Sequence, residues 1–513
     1  MFFEKITNFL TQSIYGFYNI LFLLIFGILI FVDKNIEYYR GNEVYTPNST
    51  LLLIVLVFLS LYTFKLYKFQ IKESYSIKKV LKFLAVIVFI LQLFIVLNIA
   101  FKAGWDVGII NNNANILVNN LDKEFNYTYF HRYPNNVFML AFFTFIKGVG
   151  NFLSIPGFGI LIFIGVLLTN ISIYLTSIIA YKLTNNSNIS IVTFVTATLL
   201  IGFSPWITVP YSDIYSLIFP ILTLYLYTFL KGSKYPRSLI WLLIFLIPIV
   251  GYLIKPQNTI VLIAIIITEL LTIEKSKVTL KNAATLLAIV IISIGSMQSL
   301  KSLSIHYTGV YPDEDVKFPM THWLMMGLNE DTNGVWAKED VSFTWGFSEK
   351  EVKEEQVMLE IKNRLSTMGV PGFSKHMLRK TLTNYNDGTF AWGREGNFYA
   401  TTYPETIPGV SSFIRSFYYS EYNEEGTRHV YLATFQQTIW LMTLLLVLIA
   451  GFIRLKTIDK KVELIIFLSL IGVTLFSSIF EARARYLLLY APFYVLCAML
   501  GLYKLQFKLN RRS

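Results

Sequence analysis

Long apolar runs separated by short, mostly basic loops set the pattern of this chain. A membrane-crossing helix needs roughly 17–25 mostly apolar residues. Runs near that length fall at 16–31, 50–66, 80–101, 158–181, 189–203, 214–230, 239–253 and 259–271, and again at 283–300, 431–453, 462–480 and 486–505. They predict about twelve spans. One further apolar segment, 137–146, has about half the required length and stops at Lys147. Its length predicts an interfacial or re-entrant helix.

Loop charge tests that reading. Lys65, Lys68, Lys72, Lys78, Lys79 and Lys82 make the loop before the third span strongly basic, which predicts a cytoplasmic position. The third span then runs outward and leaves Asp106 on the outer face. If 137–146 does not cross, the later basic clusters all fall inside: Lys182; Lys231, Lys234 and Arg237; Lys275, Lys277 and Lys281; Arg454, Lys456, Lys460 and Lys461; and Lys504, Lys508, Arg511 and Arg512. If it crossed, every one of them would fall outside. Non-crossing is therefore the expectation, with both termini cytoplasmic.

Composition agrees with the apolar pattern. The 513 residues are 54% hydrophobic and 15% charged, with a mean hydropathy of +0.54. Soluble domains carry about 25% charged residues. The net charge of +12 sits in short loops between spans, so it points to the lipid bilayer and not to nucleic acid. Aromatics at 16% exceed what interfacial belts require and permit a carbohydrate reading. A lone Cys497 leaves no disulfide framework and no thiolate metal site. The first twelve residues are unlike a cleavable signal, and the first apolar run reads as a retained anchor.

These patterns divide the chain into a transmembrane module, 1–305, with a first-loop region at 102–157; a hydrophilic extracytoplasmic insert, 306–430; and C-terminal transmembrane helices, 431–513. Within the insert, 349–365 has the charge pattern of a solvated helix. No internal repeat, low-complexity tract or nucleotide-binding glycine loop is present. Without a soluble nucleotide-sugar domain, a sugar donor would have to arrive on a lipid.

The polar residues beside spans all fall on the outer side. Gly104-Trp105-Asp106 closes the third span, and the loop from 102 to 136 returns through Tyr129-Phe130-His131-Arg132-Tyr133-Pro134-Asn135-Asn136. Pro210-Tyr211-Ser212-Asp213 joins the fifth and sixth spans. Lys255-Pro256-Gln257-Asn258 separates the seventh from the eighth. Pro319-Met320-Thr321-His322 opens the insert, and Glu481-Ala482-Arg483-Ala484-Arg485-Tyr486 links the last two spans. Ionisable groups at span ends cost several kcal/mol to bury, so by default they are functional candidates.

Asp106 has the chemistry of a general base toward an acceptor hydroxyl; the structural alternative is a carboxylate solvated at a span end. Asp213 is either a second acid or the N-cap of the sixth span. Arg485 and Lys255, with Arg483 behind them, suit a donor phosphate whose charge grows as it leaves. Arg485 has a structural alternative as the i, i+4 partner of Glu481. His131, Arg132, Tyr133, Asn135, Asn136, Gln257, His322 and Glu481 are candidate substrate contacts. For Asn135 and Asn136, capping the helix that starts at Val137 is the competing role. No His/Cys/Asp cluster has zinc-site spacing.

Asp106 after an early span, Tyr133-Pro134-Asn135-Asn136, the segment from Ser204-Pro205 to Asp213, Lys255-Pro256-Gln257, Met325-Met326-Gly327-Leu328-Asn329 and Phe480 to Tyr486 together resemble the integral-membrane GT-C glycosyltransferases. The likeness is to the bacterial branch of protein O-mannosyltransferases and aminoarabinose transferases. The first-loop acid stands without the adjacent second acid of the mannosyltransferases, and the insert differs from their sugar-binding domain. The resemblance implies an all-α, GT-C-like polytopic membrane protein of about 12 transmembrane helices plus an interfacial helix, with a mixed extracytoplasmic insert. It implies inverting transfer of a monosaccharide from an undecaprenyl-phosphate-linked donor, with Asp106 as base, and a cell-envelope glycopolymer (a teichoic acid or wall polysaccharide) of a Gram-positive bacterium as acceptor. A protein acceptor, a lipid-linked glycan flippase and a non-catalytic scaffold are the alternatives. Two acids on one face permit Mg or Mn, while Arg485 and Lys255 could stand in for a metal.

Overall fold

The computed structural model describes residues 2–32, 37–39, 46–64, 76–101, 103–121, 124–230, 234–272, 279–395, 409–420 and 426–510. Among these the regular structure is entirely helical, as a lipid-embedded backbone requires when it must satisfy its own hydrogen bonds. In order, the helices are α1 (Phe2–Phe31), α2 (Asn48–Phe64), α3 (Ile77–Ile99), α4 (Trp105–Asn119), α5 (Tyr127–Arg132), α6 (Val137–Leu153), α7 (Gly157–Thr184) and α8 (Ser187–Ala197). There follow α9 (Ser212–Ser216), α10 (Ile218–Phe229), α11 (Arg237–Gly251), α12 (Ile260–Leu271), α13 (Leu280–Thr308), α14 (Met320–Gly327), α15 (Lys338–Trp345) and α16 (Lys350–Tyr385). The last are α17 (Trp392–Glu395), α18 (Val410–Tyr418), α19 (His429–Phe452), α20 (Lys460–Ile479), α21 (Arg485–Leu488) and α22 (Ala491–Asn510).

Among the described residues, eight helices are long and apolar enough to cross a membrane. Shorter apolar helices at Asn48–Tyr62, Ser187–Gly202, Arg237–Gly251 and Pro256–Leu271 occupy further expected spans. The chain is a multi-pass, helical membrane protein. The basic positions Lys65, Lys68, Lys72, Lys231, Lys275, Lys277, Arg511 and Arg512, and the loop start at Lys102, lie outside the described residues.

The innermost helix is α22, whose residues from Ala491 to Met499 are almost all fully buried. Gly501 lets it approach α19 closely, because a Cβ there would overlap the Leu446 carbonyl; small residues serve this purpose between membrane helices. At the far end of the bundle from the site described below, Lys461 pairs with Glu269 at 3.0 Å and Lys504 with Glu463 at 2.5 Å.

The segment expected to be a half-length helix is longer than its apolar run suggested. It continues through Lys147 to Leu153, and Pro134–Leu153 is itself one of the eight long apolar helices. Lys147 does not stop it, because the side chain is buried and donates to Asn115 Oδ1 of α4 at 2.5 Å. Length therefore no longer argues against crossing. At one end of α6, Asn136 bonds to Tyr129 and meets Tyr211, which leads into α9, where Ile214 lies on Gly165 and Tyr215 bonds to the Leu161 carbonyl. At the other end, Lys147 packs against Gly157, whose Cβ would lie 2.8 Å from the Lys147 Cα. The start of α6 thus meets the segment leading into α9, and its C-terminal half meets the start of α7.

The insert is helical where described and is not detached from the bundle. Its expected start at 306 falls inside α13, and its helix expected at 349–365 extends to Tyr385 with a kink at Gly369 (φ +54°) before Pro371. Past the kink the chain enters the bundle. The Tyr385 hydroxyl bonds to Thr474 at 2.6 Å and Tyr494 at 2.7 Å, and Trp206 donates to the carbonyls of Thr389 and Phe390, each at 3.1 Å.

Candidate active site

Five connections between helices converge on one cavity of about 1360 Å³, larger than the roughly 300–1,000 Å³ of ordinary small-molecule pockets. Its polar wall is built from the turn into α4, the turn from Tyr133 to Asn136, the starts of α9 and α21, and the turn after α11. Ile249 of α11, Tyr252 and Leu253 just after it, and Ile294 and Met297 of α13 give it an apolar side. Eight Lys or Arg side chains line it against five Asp or Glu, so the cavity favours anions.

Asp106 lies in the first turn of α4, where negative charge is favoured. The preceding Trp105 has φ +33°, a conformation that costs a non-glycine residue about 1 kcal/mol. Asp106 Oδ1 accepts from the Tyr129 hydroxyl at 2.8 Å and Oδ2 from the Tyr211 hydroxyl at 3.2 Å. The Asn136 amide donates to Tyr129 at 2.7 Å, and its oxygen lies 3.5 Å from the Tyr211 hydroxyl. A closed ring of four side chains holds the carboxylate. Burial and the neighbouring carboxylate push the Tyr129 hydroxyl well above its ordinary pKa, so it stays a donor.

Asn136 therefore does more than mark a helix start. It stands at the N-cap of α6 but makes no side-chain cap bond there. Asn135 is exposed and donates to Asn136 at 3.3 Å.

Asp213 is buried in the first turn of α9, where Tyr211 takes the N-cap position. Its Oδ1 pairs with Lys255 and its Oδ2 lies 3.2 Å from Arg485 Nε. The triad carries one net positive charge. Burial pushes the Lys255 ammonium down from its usual pKa, and Asp213 opposes that shift. Lys255 lies 4.5 Å from the centroid of Tyr486. The Arg485 guanidinium is 4.7 Å from Trp105 and 5.4 Å from Trp206, an aromatic cage that replaces part of its hydration.

Arg485 thus reaches across to Asp213, while Glu481 accepts from the Tyr486 hydroxyl at 2.8 Å. Burial raises the Glu481 carboxyl above the ordinary range, with Arg483 opposing. Arg483 donates to the Tyr39 hydroxyl at 3.0 Å. Gln257 lines the cavity from the turn after Lys255, and its carbonyl accepts from Tyr490 at 3.1 Å. Arg132, Tyr133 and His322 also line the cavity. The His322 Nδ1 meets Thr344 Oγ1 at 2.7 Å, and burial lowers its pKa to about 4. His131 is the one predicted site residue outside the lining, its ring 6.1 Å from Tyr127.

Met325 to Asn329 acts by supporting the site. A Cβ on Gly327 would lie 2.6 Å from the Phe480 carbonyl, so only glycine lets this turn lie against the segment carrying Glu481. The Gly327 carbonyl accepts from Lys380 at 2.7 Å and His376 at 2.9 Å, and Ala482 donates its N–H to the Gly334 carbonyl at 2.7 Å. Burial brings the Lys380 ammonium down to about 7.

Sequence reading passed over Tyr129, Trp105 and Tyr486. Tyr129 and Tyr133 stand four apart on one helical turn, the spacing that places side chains on one face, and this was the available signal. For Tyr486, adjacency to Arg485 was the only cue.

With the geometry in place, the chain can be set beside known proteins. A family profile described as conserved hypothetical integral membrane protein matches residues 5–504. The chain belongs to that family. No curated protein and no solved structure matches it. The match covers every helix that contributes to the cavity.

Among the described residues no three His, Cys, Asp or Glu side chains gather as ligands. Both Asp213 oxygens face cations, while each Asp106 oxygen accepts one bond from a tyrosine and keeps further acceptor capacity toward the cavity.

Proposed function

We propose that this protein is a glycosyltransferase that moves a monosaccharide from a polyprenyl-phosphate donor to an extracytoplasmic cell-envelope glycopolymer, such as a teichoic acid or wall polysaccharide. One observation carries the reading: a single cavity joins a held carboxylate, Asp106, and a net-positive triad, Lys255–Asp213–Arg485, to an apolar side formed by α11 and α13. That combination suits a substrate with a lipid tail, a phosphate and a sugar.

In the reaction, Asp106 takes the proton of an acceptor hydroxyl as its oxygen bonds to the anomeric carbon. The bond from that carbon to the phosphate oxygen breaks, and the electron pair leaves with the phosphate. Lys255 and Arg485 stabilise the added charge. Asp213 holds the two cations in place and keeps them ionised. Within this reading the chain has about twelve spans with both termini cytoplasmic, and the cavity faces outward.

The test is transfer from a labelled polyprenyl-phosphate sugar by purified protein in lipid. Wild type transfers label to glycopolymer, and Asp106→Asn loses at least a hundredfold in rate at unchanged expression. Full activity in Asp106→Asn would remove the mechanism. Movement of donor across the bilayer without transfer would replace the enzyme by a lipid-linked glycan flippase.

A further inference from the structure

Arg132 of the first-loop region and Lys353 of the insert supply a second cationic wall of the cavity, which the transfer chemistry does not use. The Arg132 guanidinium lies 4.0 Å from the centroid of Trp345 and 5.4 Å from that of Phe318. Its Nε is buried and has no hydrogen-bond partner among the described residues. Lys353, 2% exposed, lies 6.0 Å from the centroid of the same Phe318 and donates to the Asp315 carbonyl. The two cations therefore share one aromatic platform and repel each other.

A chain of contacts links the triad to Asp106 and Asp106 to this wall. Arg485 packs on Trp105, which adjoins Asp106; Tyr129 bonds to Asp106; Tyr133 lies 5.3 Å from Tyr129; and Arg132 lies 5.9 Å from Tyr133. In an inverting transfer the nucleophile attacks from the side opposite the leaving phosphate, so the base and the acceptor lie together, away from the donor phosphate.

We infer that Arg132 and Lys353 form a second oxyanion subsite, which binds a phosphate or phosphodiester group of the acceptor polymer and sets its hydroxyl against Asp106. The inference rests on the proposed transferase reading. A guanidinium fork with a second cation beside it matches the paired oxygens of a phosphodiester. A neutral glycan offers neither cation an anionic partner.

The test measures binding of three probes to full-length protein in nanodiscs: a glycerol-phosphate oligomer, neutral dextran, and farnesyl phosphate as a lipid phosphate. Wild type binds the oligomer in a salt-dependent manner and binds dextran at least tenfold more weakly. Arg132→Gln weakens oligomer binding at least tenfold and changes farnesyl phosphate binding less than twofold, whereas Lys255→Met does the reverse. Loss of farnesyl phosphate binding in Arg132→Gln would assign the site to the donor and overturn the inference, as would unchanged oligomer binding. Should Arg132→Gln fail to fold, the wild-type protein decides: the oligomer, and not dextran, slows phenylglyoxal modification of Arg132 at least fivefold, and equal rates overturn the inference. Arg132-dependent oligomer binding in a protein that transfers no sugar would remove the transferase reading and leave the subsite standing.

Discussion

The Tyr129 hydroxyl donates to Asp106 Oδ1 at 2.8 Å, tying α5 to the first turn of α4 across 23 residues. With the Tyr211 and Asn136 contacts, it fixes the carboxylate in one orientation and leaves it facing the cavity. Tyr129 is a positioning residue in the proposed reaction. Tyr129→Phe removes one oxygen, and misplacement of a base by about 1 Å costs on the order of a hundredfold in rate. We expect a ten- to hundredfold fall in kcat with KM for the lipid donor changed less than threefold, measured in the labelled-donor assay. An equal effect on KM would assign Tyr129 to donor binding.

Asp213 compensates two buried cations at once. Removing one partner of a buried pair leaves uncompensated charge and costs about 3–5 kcal/mol. Asp213→Asn should therefore lower the thermal midpoint in detergent substantially, and Asp213→Asn combined with Lys255→Met should recover part of the loss. If the double variant is no more stable than Asp213→Asn alone, the pair is not the source of the effect.

His322 gives the fold a pH dependence of known sign. Its folded-state pKa is lowered from 6.5 to about 4 by burial, so between those values the unfolded chain binds more protons than the folded one. Its contribution is fully present above pH 6.5 and is lost as pH falls toward 4. The shift corresponds to roughly 3 kcal/mol at most. Unfolding midpoints of wild type and His322→Gln, compared from pH 4 to 7, should differ in slope, the variant being flatter. Parallel curves would exclude His322.

The course of α6 is open to a labelling experiment. Cysteines placed at Asn135 and Ser154, both exposed, flank the helix, and the buried Cys497 can be replaced by alanine. Both positions should react with a membrane-impermeant maleimide from the same side. Labelling from opposite sides would mean that the helix crosses.

Much of the architecture was legible in the chain itself, because lipid imposes one rule on every span. Apolar length located α1, α3, α7, α13, α19 and α20, and the sidedness of polar residues pointed to a single cluster of span ends. The rule failed at 137–146 for a physical reason. A buried lysine that finds an amide partner, as Lys147 finds Asn115, does not end a helix.

The sequence by itself determined that the chain is a multi-pass helical membrane protein and that Asp106, Asp213, Lys255 and Arg485 stand at span ends. Tertiary structure alone decided their partners. Asp213 took up Lys255, 42 residues away, and Arg485, while Asn136 bonded to tyrosines in place of capping α6. Local periodicity reports which face of a helix is apolar. It carries no information about which distant side chain a buried charge will meet, because that choice is set by how helix ends converge when the spans pack.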